Sequence, residues 1–310
     1  MKMNMMDNIL TKFLAGFKNG YFIRVGSKKH NVFIGKDDEG RYSFEYRGNF
    51  YPVKLIGSKP LVVNQYKNND KTNTLRFSLE HNELIGCFSV FCEDLLEAIE
   101  SELDNNSIYK TMSDRYQSWK KLFKPNRTML SENEIMGLLG EILFLKDIAI
   151  PQWGVDDAIE GWTGLEKTHK DFSLGNRWYE IKSISAGKET VRISSIEQLD
   201  SDVDGILYVY SFEKMSPSFN GLKLNTIVRE LISGLNLMQK DSLLNKLESY
   251  GYNFDPSFDN YVYVVTNETP YVVGGNFPRL KKSELPSSIS KVQYDIVISK
   301  IIQFKTQITK

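Results

Sequence analysis

The chain is 310 residues long, and Lys+Arg and Asp+Glu balance at 39 each, so its net charge offers no general pull on a polyanion. Hydrophobic residues make up 41% and charged residues 25%, a globular composition. No apolar run approaches the roughly 20 residues of a membrane span. The start, MKMNMMDNILTKF, lacks a signal-peptide core, and Cys87 and Cys92 form neither a disulfide framework nor a zinc pattern, so a reduced, cytoplasmic setting is expected.

Residues 5–18 read as a helix with Ile9, Phe13, Leu14 and Phe17 on one side, stopped by Asn19-Gly20. From Tyr21 to Ser89 come short strands between turns: YFIRVG, NVFIG, RYSFEY, FYPVKLIG, LVVNQY and LRFSLE. That spacing predicts a small antiparallel sandwich or half-barrel. It carries no chemical constellation, and His30 and His81 stand alone, so binding or docking is its expected job. Cys92–Leu103 and Ser113–Phe123 read as helices. Pro125-Asn126 then marks a boundary between a β-rich N-terminal domain, 1–125, and a second domain, 126–310.

Ser131-Glu132-Asn133-Glu134 is a capping-box pattern that opens the next helix, and capping accounts for Glu134. Leu138, Ile142 and Leu145 follow as an apolar stripe with Glu141 inside it. A carboxylate on a buried helix face is costly unless paired or metal-associated. The alternative is a position at the stripe's border, with the side chain reaching water.

The stretch His169–Ile184, HKDFSLGNRWYEIKSI, reads as a β-hairpin turning at Gly175-Asn176 in a type II′ geometry. With that loop, Leu174 faces Arg177, Ser173 faces Trp178, Phe172 faces Tyr179 and Asp171 faces Glu180. Opposed carboxylates repel unless a cation or proton lies between them. Lys182 shares Glu180's face by the strand's period of two. Trp178 and Tyr179 read as cross-strand packing, and His169 as a residue on Asp171's face, either surface or general base. Thr190–Ser194 reads as a third strand, Ser195–Leu199 as the start of a short helix bearing Gln198, and Gly205–Phe212 as a strand covered on both faces. Leu224–Leu237 and Asp241–Tyr250 read as helices, YVYVVTN and YVVGG as extended, and Val292–Phe304 as one or two strands. The whole is an α+β fold with an α/β-like core.

An Asp, a Glu and a Lys converging on one patch suit phosphodiester hydrolysis assisted by Mg²⁺ or Mn²⁺. Mg²⁺ takes oxygen ligands, typically one or two carboxylates plus substrate phosphate. Asp171 and Glu180 supply the pair, the Ile181 carbonyl adds a ligand, and Lys182 is placed to orient water or stabilise charge. Basic residues concentrate at 106–127, with Lys120, Lys121, Lys124 and Arg127 among them, and again at 279–310. These, with Lys170 and Arg192, are candidate phosphate contacts; the alternative is solvated surface lysine and arginine.

Asp171…Glu180-Ile-Lys182, with an upstream helix acid and an α-β-β-β-α-β order, resembles the PD-(D/E)XK, or restriction-endonuclease-like, nuclease superfamily. More specifically, GLLGEILFL, GW-T-G, KDF, EIKS, VRISSIEQLD and FPRL resemble the PD-(D/E)XK-motif proteins of bacterial restriction and phage-defence gene clusters. The departure is Lys170 where the motif has proline. The resemblance implies a β-rich N-terminal region ahead of a restriction-endonuclease-like core with extra C-terminal helices and strands. It implies Asp171, Glu180 and Glu141 as metal-binding acids, Lys182 as the catalytic lysine and Gln198 as an auxiliary group. DNA would be the substrate, and other subunits of a defence system, or a second copy of the chain, the partners. Two rivals stay open: a catalytically silent nuclease-fold DNA-binding or assembly module, and a structural ion-pair cluster at Asp171, Glu180 and Lys182.

Overall fold

The computed structural model describes residues 9–120, 123, 130–164 and 170–308. The chain divides into two compact units, Met1–Met129 with Gly251–Pro256, and Leu130–Tyr250 with Ser257–Lys310. The expected boundary residues Pro125 and Asn126 lie outside the described residues, as do Lys121, Lys124, Arg127 and His169.

The first unit starts with α1 (Ile9–Leu14) and continues through β1 (Phe22–Arg24), β2 (Val32–Lys36), β3 (Tyr42–Gly48), β4 (Leu61–Lys67) and β5 (Asn73–Leu79). These make one open antiparallel sheet in the order β1-β2-β3-β5-β4, not a sandwich. One face buries Ile34, Phe44, Tyr46, Leu75 and Phe77. Helices α2 (Ile85–Ala98) and α3 (Asn105–Trp119) cover it, with Phe77 meeting Phe91 edge-on and Tyr116 tilted. Both helices begin earlier than residue type alone suggests. Gly86 and Ser89 look like breakers, yet Phe88, Phe91 and Leu95 give α2 a continuous buried stripe. FYPVKLIG is not a strand: Pro52 has no N–H to pair, and Tyr51, Val53 and Ile56 are exposed. His30 is buried, its Nε2 2.8 Å from the Glu102 carbonyl.

The second unit contains α4 (Glu132–Phe144), α5 (Ile150–Trp153), α6 (Val155–Glu160), β6 (Phe172–Leu174), β7 (Arg177–Ser185), β8 (Thr190–Ile193), β9 (Gly205–Met215), α7 (Leu224–Ser233), α8 (Leu237–Ser249), β10 (Val262–Val273) and β11 (Tyr294–Val297). The main sheet runs β10-β9-β7-β6, with β7 and β9 parallel. YVYVVTN and YVVGG fuse into the single strand β10, bulged between Val265 and Asn267. The expected third strand, β8, does not extend this sheet. It pairs antiparallel with β11 as a separate ribbon. A parallel pair needs a crossover of a dozen or more residues. Here β8 and a single 3₁₀ turn, Ile196–Gln198, supply it in place of the expected helix. Trp178 and Ile184 of β7 pack against Val191 and Ile193 of β8 and Ile296 of β11 on one face of the sheet. On the other, Phe144 of α4 meets Phe172, Tyr179 and Tyr208. No helix among the described residues is long and apolar enough to cross a membrane.

Candidate active site

The hairpin sets the register. Phe172 pairs with Tyr179, Ser173 with Trp178 and Leu174 with Arg177. Gly175 has φ +57° and Asn176 lies on the negative side, which a type II′ turn requires. Trp178 and Tyr179 are packed: the indole donates to the Val203 carbonyl at 2.8 Å, and Tyr179 lies against Phe144 and Trp153. The ladder stops at Phe172, so Asp171 stands one residue beyond it. Its Oδ2 accepts from the Ile181 backbone N–H at 2.6 Å, where a further strand residue would have bonded. A strand residue's N–H and C=O leave on the same side. The Ile181 carbonyl therefore emerges beside Asp171, past the end of β6.

Glu180 is fully buried, and the Lys182 ammonium lies 2.7 Å from its Oε1. Lys182 is the donor at Oε1, and Oε2 has none among the described residues. Glu141 reaches the same place from α4. That helix is capped as its sequence predicts: Ser131 Oγ accepts from the Glu134 N–H at 3.4 Å and Glu134 Oε2 from the Ser131 N–H at 2.8 Å. It also seats closely on β7, because a Cβ at Gly140 would lie 2.2 Å from Ser183 Oγ. Glu141 Oε2 accepts from Trp162 Nε1 at 2.7 Å and from Tyr250 Oη at 2.6 Å, and the two rings stack 4.7 Å apart. Gly164 closes the arrangement. A Cβ there would sit 2.2 Å from Tyr250 Oη, 3.2 Å from Asp171 Oδ1 and 3.4 Å from Glu141 Oε2.

The electrostatics follow from crowding acids in a dry place. Burial, then the charge of Asp171, pushes Glu141 and Glu180 each up to about 8. Burial also raises Asp171, against the pull of Lys182 and the Ile181 N–H. Burial pulls Lys182 down, but Glu180 and Asp171 outweigh it and raise its pKa. Glu141 and Glu180 therefore retain protons well above the ordinary carboxylate range, and their titration is linked to that of Asp171.

The remaining candidates are placed differently. Lys170 is buried, its ammonium donating to the carbonyls of Glu197 at 2.6 Å and Asp200 at 3.1 Å while lying 4.0 Å from the Trp178 ring centre. It is therefore not a surface phosphate contact; it pins the 3₁₀ turn to the hairpin where the motif has proline, and burial lowers its pKa to about 8. Gln198 Oε1 accepts from the Ser194 N–H at 2.7 Å, closing its own turn. Lys120 donates to the Ile56 carbonyl at 2.8 Å within the first unit. Arg192 is exposed, 2.9 Å from Gln293 Oε1. Arg279 of FPRL donates to the carbonyls of Leu199 at 2.6 Å and Ser201 at 3.1 Å, a structural role. Trp162 and Tyr250 carry the Glu141 carboxylate, yet sequence reasoning gave them no role. The GW-T-G stretch marked Trp162; nothing local marked Tyr250. A cleft of about 1060 Å³ beside Gly161 and Thr163 is lined by Asp156, Asp157 and Lys246 but by none of the coupled acids.

The sequence family described as "Putative PD-(D/E)XK family member, (DUF4420)" matches residues 20–299. The chain belongs to this family. Neither a curated protein nor a solved structure matches it. The PD-(D/E)XK superfamily to which that description refers consists mostly of nucleases that use divalent metal. The donor set here fits a hard cation: it is all oxygen, it includes a buried carboxylate short of donors, and Gly164 leaves a cradle that a side chain would fill. Among the described residues no group of three or more His, Cys, Asp or Glu is arranged to hold an ion. The fit is thus to a cation held by two carboxylates, the usual Mg²⁺ arrangement.

Proposed function

We propose that the chain is a divalent-metal-dependent DNA endonuclease, or the nuclease subunit of a prokaryotic restriction or anti-phage system. The observation that supports this best is the buried set Glu141, Asp171 and Glu180 with Lys182 beside it, in a chain of this family. Glu141 and Glu180 hold protons at neutral pH that a cation would displace. Asp171 and Glu180 would hold Mg²⁺ or Mn²⁺, with the Ile181 carbonyl beside them and Glu141 joining directly or through water. A cation so held lowers the pKa of bound water and stabilises charge on a phosphoryl group. Lys182 would place the attacking water or neutralise developing charge. Trp162 and Tyr250 would keep Glu141 from swinging away, and Gln198 would shape the neighbouring turn. Residues 1–125 would dock the substrate or a partner subunit and 126–310 perform the chemistry, in the cytoplasm.

Plasmid DNA incubated with the purified chain and Mg²⁺ or Mn²⁺ tests this, alone and with the products of neighbouring genes. Nicking or cleavage is expected, abolished in Lys182→Ala and Asp171→Ala chains whose circular dichroism is unchanged. Undiminished cleavage by both variants would refute the site.

A second reading rests on the Lys182–Glu180 ion pair, which already neutralises one acid. On that reading the unit is a silent DNA-binding or assembly module. Calorimetry would then detect no Mn²⁺ binding, and the alanine variants would leave the system's protective activity intact.

A further inference from the structure

The outer face of the N-terminal sheet is not the polar surface that alternation alone would give. Phe33, Glu45 and Arg76 stand directly opposite one another across β2, β3 and β5, with Arg24 of β1 opposite Phe33. The neighbouring row, Ile34, Phe44 and Phe77, is fully buried on the helix side. Period two therefore puts Phe22, Arg24, Phe33, Arg47, Tyr66 and Arg76 together on the side away from α2 and α3.

These six side chains form a ladder. The Arg24 guanidinium lies 5.5 Å from the Phe33 ring centre and that of Arg47 4.3 Å from the same ring. Arg47 lies 6.0 Å and Arg76 5.2 Å from the centre of Phe22, and Arg76 is again 5.2 Å from Tyr66. Guanidinium and ring alternate along this chain of contacts, which draws on all five strands, with the ring of Phe22 from β1 lying between Arg47 and Arg76. Fully buried Glu45 fixes two of the cations. Its Oε2 accepts from Arg47 Nε at 3.0 Å and Nη2 at 2.6 Å, and its Oε1 accepts from Arg76 Nε and from the Tyr66 hydroxyl at 3.1 Å. Arg76 Nη2 donates to Tyr66 Oη at 2.7 Å, while Arg24 is held by the Lys28 carbonyl and Asn31 Oδ1. The face stays open: Arg24 is exposed, and Arg47 and Tyr66 are each 39% exposed.

We propose that this ladder is a binding platform for single-stranded nucleic acid. Three guanidinium groups against Glu45, and Asp70 beside Arg47, leave the face net cationic, and each cation is held in place before a ligand arrives. Fixed guanidinium donors match phosphate oxygens. Rings and guanidinium planes are also the surfaces on which unpaired bases stack, at about 1–3 kcal/mol per base. A duplex is a poor match. Its major groove is about 12 Å wide and admits a helix or a two-stranded ribbon, not the open face of a five-stranded sheet. The platform does not depend on whether the carboxylate site cleaves.

Fluorescence anisotropy tests it with the full chain carrying Lys182→Ala, in EDTA, so that binding is read without cleavage. The probe is a labelled oligothymidine of about 16 nucleotides, the upper end of the site size of single-strand-binding OB folds. Arg24→Ala lies outside the Glu45 network and should weaken binding on its own. Arg24→Ala with Arg47→Ala should weaken it at least about tenfold and flatten its salt dependence. Phe33→Leu should also weaken it, whereas Glu45→Gln, which adds net positive charge, should preserve or tighten it. The proposal is overturned if the wild-type chain ignores the oligonucleotide at low salt, if it prefers the matching duplex, or if folded Arg24→Ala and double-alanine chains bind undiminished. The ladder would then be a stabilising stack only.

Discussion

Replacing Glu141 with glutamine should stabilise the metal-free protein, and the gain should grow with pH. Glutamine reproduces the neutral carboxyl, because its amide oxygen can accept both the Trp162 and Tyr250 bonds that Oε2 now accepts. The carboxyl's pKa rises from 4.5 to about 8 on folding, driven by burial and by Asp171. Between those values the folded state binds a proton that the unfolded state has released. Stability attached to this group is therefore complete below pH 4.5 and is lost as pH rises through 8. The loss is about 1.4 kcal/mol per pH unit, accumulating to about 5 kcal/mol between pH 4.5 and 8. Glu141→Gln removes the share of the slope that Glu141 contributes and leaves that of Glu180. In EDTA it should match the wild type at pH 4.5 and melt roughly 10 °C higher at pH 8. Urea unfolding followed by far-UV circular dichroism at half-unit pH steps gives the comparison directly. Parallel stability curves for the two proteins would refute the account of Glu141 as a buried, proton-retaining acid.

Gly164→Ala should abolish metal-dependent activity while leaving the N-terminal unit's melting unchanged, since the new Cβ would meet Tyr250 Oη at 2.2 Å. Cleavage assays and differential scanning calorimetry check both halves of that statement. Lys170→Met should cost about 1–3 kcal/mol by stranding the Glu197 and Asp200 carbonyls, without changing the salt slope of DNA binding. A reduced slope would return Lys170 to the surface role that its charge suggests. Mg²⁺ at a hundredfold excess over its Kd should stabilise the wild type by about 2.7 kcal/mol at pH 8. Asp171→Asn should lose this gain, read by thermal melts with and without EDTA.

What could be seen in advance divides by how local the determining contacts are. The hairpin was legible because alternation and Gly175 specify turn and register within a few residues. The capping box at Ser131 was legible for the same reason. Glu141 was legible as an acid inside an apolar stripe, but its holders were not. Tyr250 follows α8 at its C-terminal end, and only the folded chain shows what its hydroxyl meets. FYPVKLIG has strand-forming side chains but no strand partner among the described residues, and composition does not report partners. The partner of β8 is β11, about a hundred residues on, and alternation within β8 does not distinguish a ribbon strand from a sheet strand. Lys170 misled through its residue type: a cation normally sought at the surface is here spent on two carbonyls beneath an indole.

The reach of the Tyr250–Glu141 bond has a consequence for the order in which the site comes together. It spans a separation of 109 residues, whereas the Asp171–Ile181 bond spans 10. A two-residue hairpin forms in about 1–10 μs, while contacts across long loops wait for the chain to close. Asp171 and Glu180 should therefore meet early, and the bracing of Glu141 should be a late event on the native side of the folding barrier. Stopped-flow measurements on Tyr250→Phe should show faster unfolding with an unaltered folding rate, the signature of a contact absent from the transition state. The acids' mutual repulsion would then limit the lifetime of the native state and leave the rate of reaching it untouched.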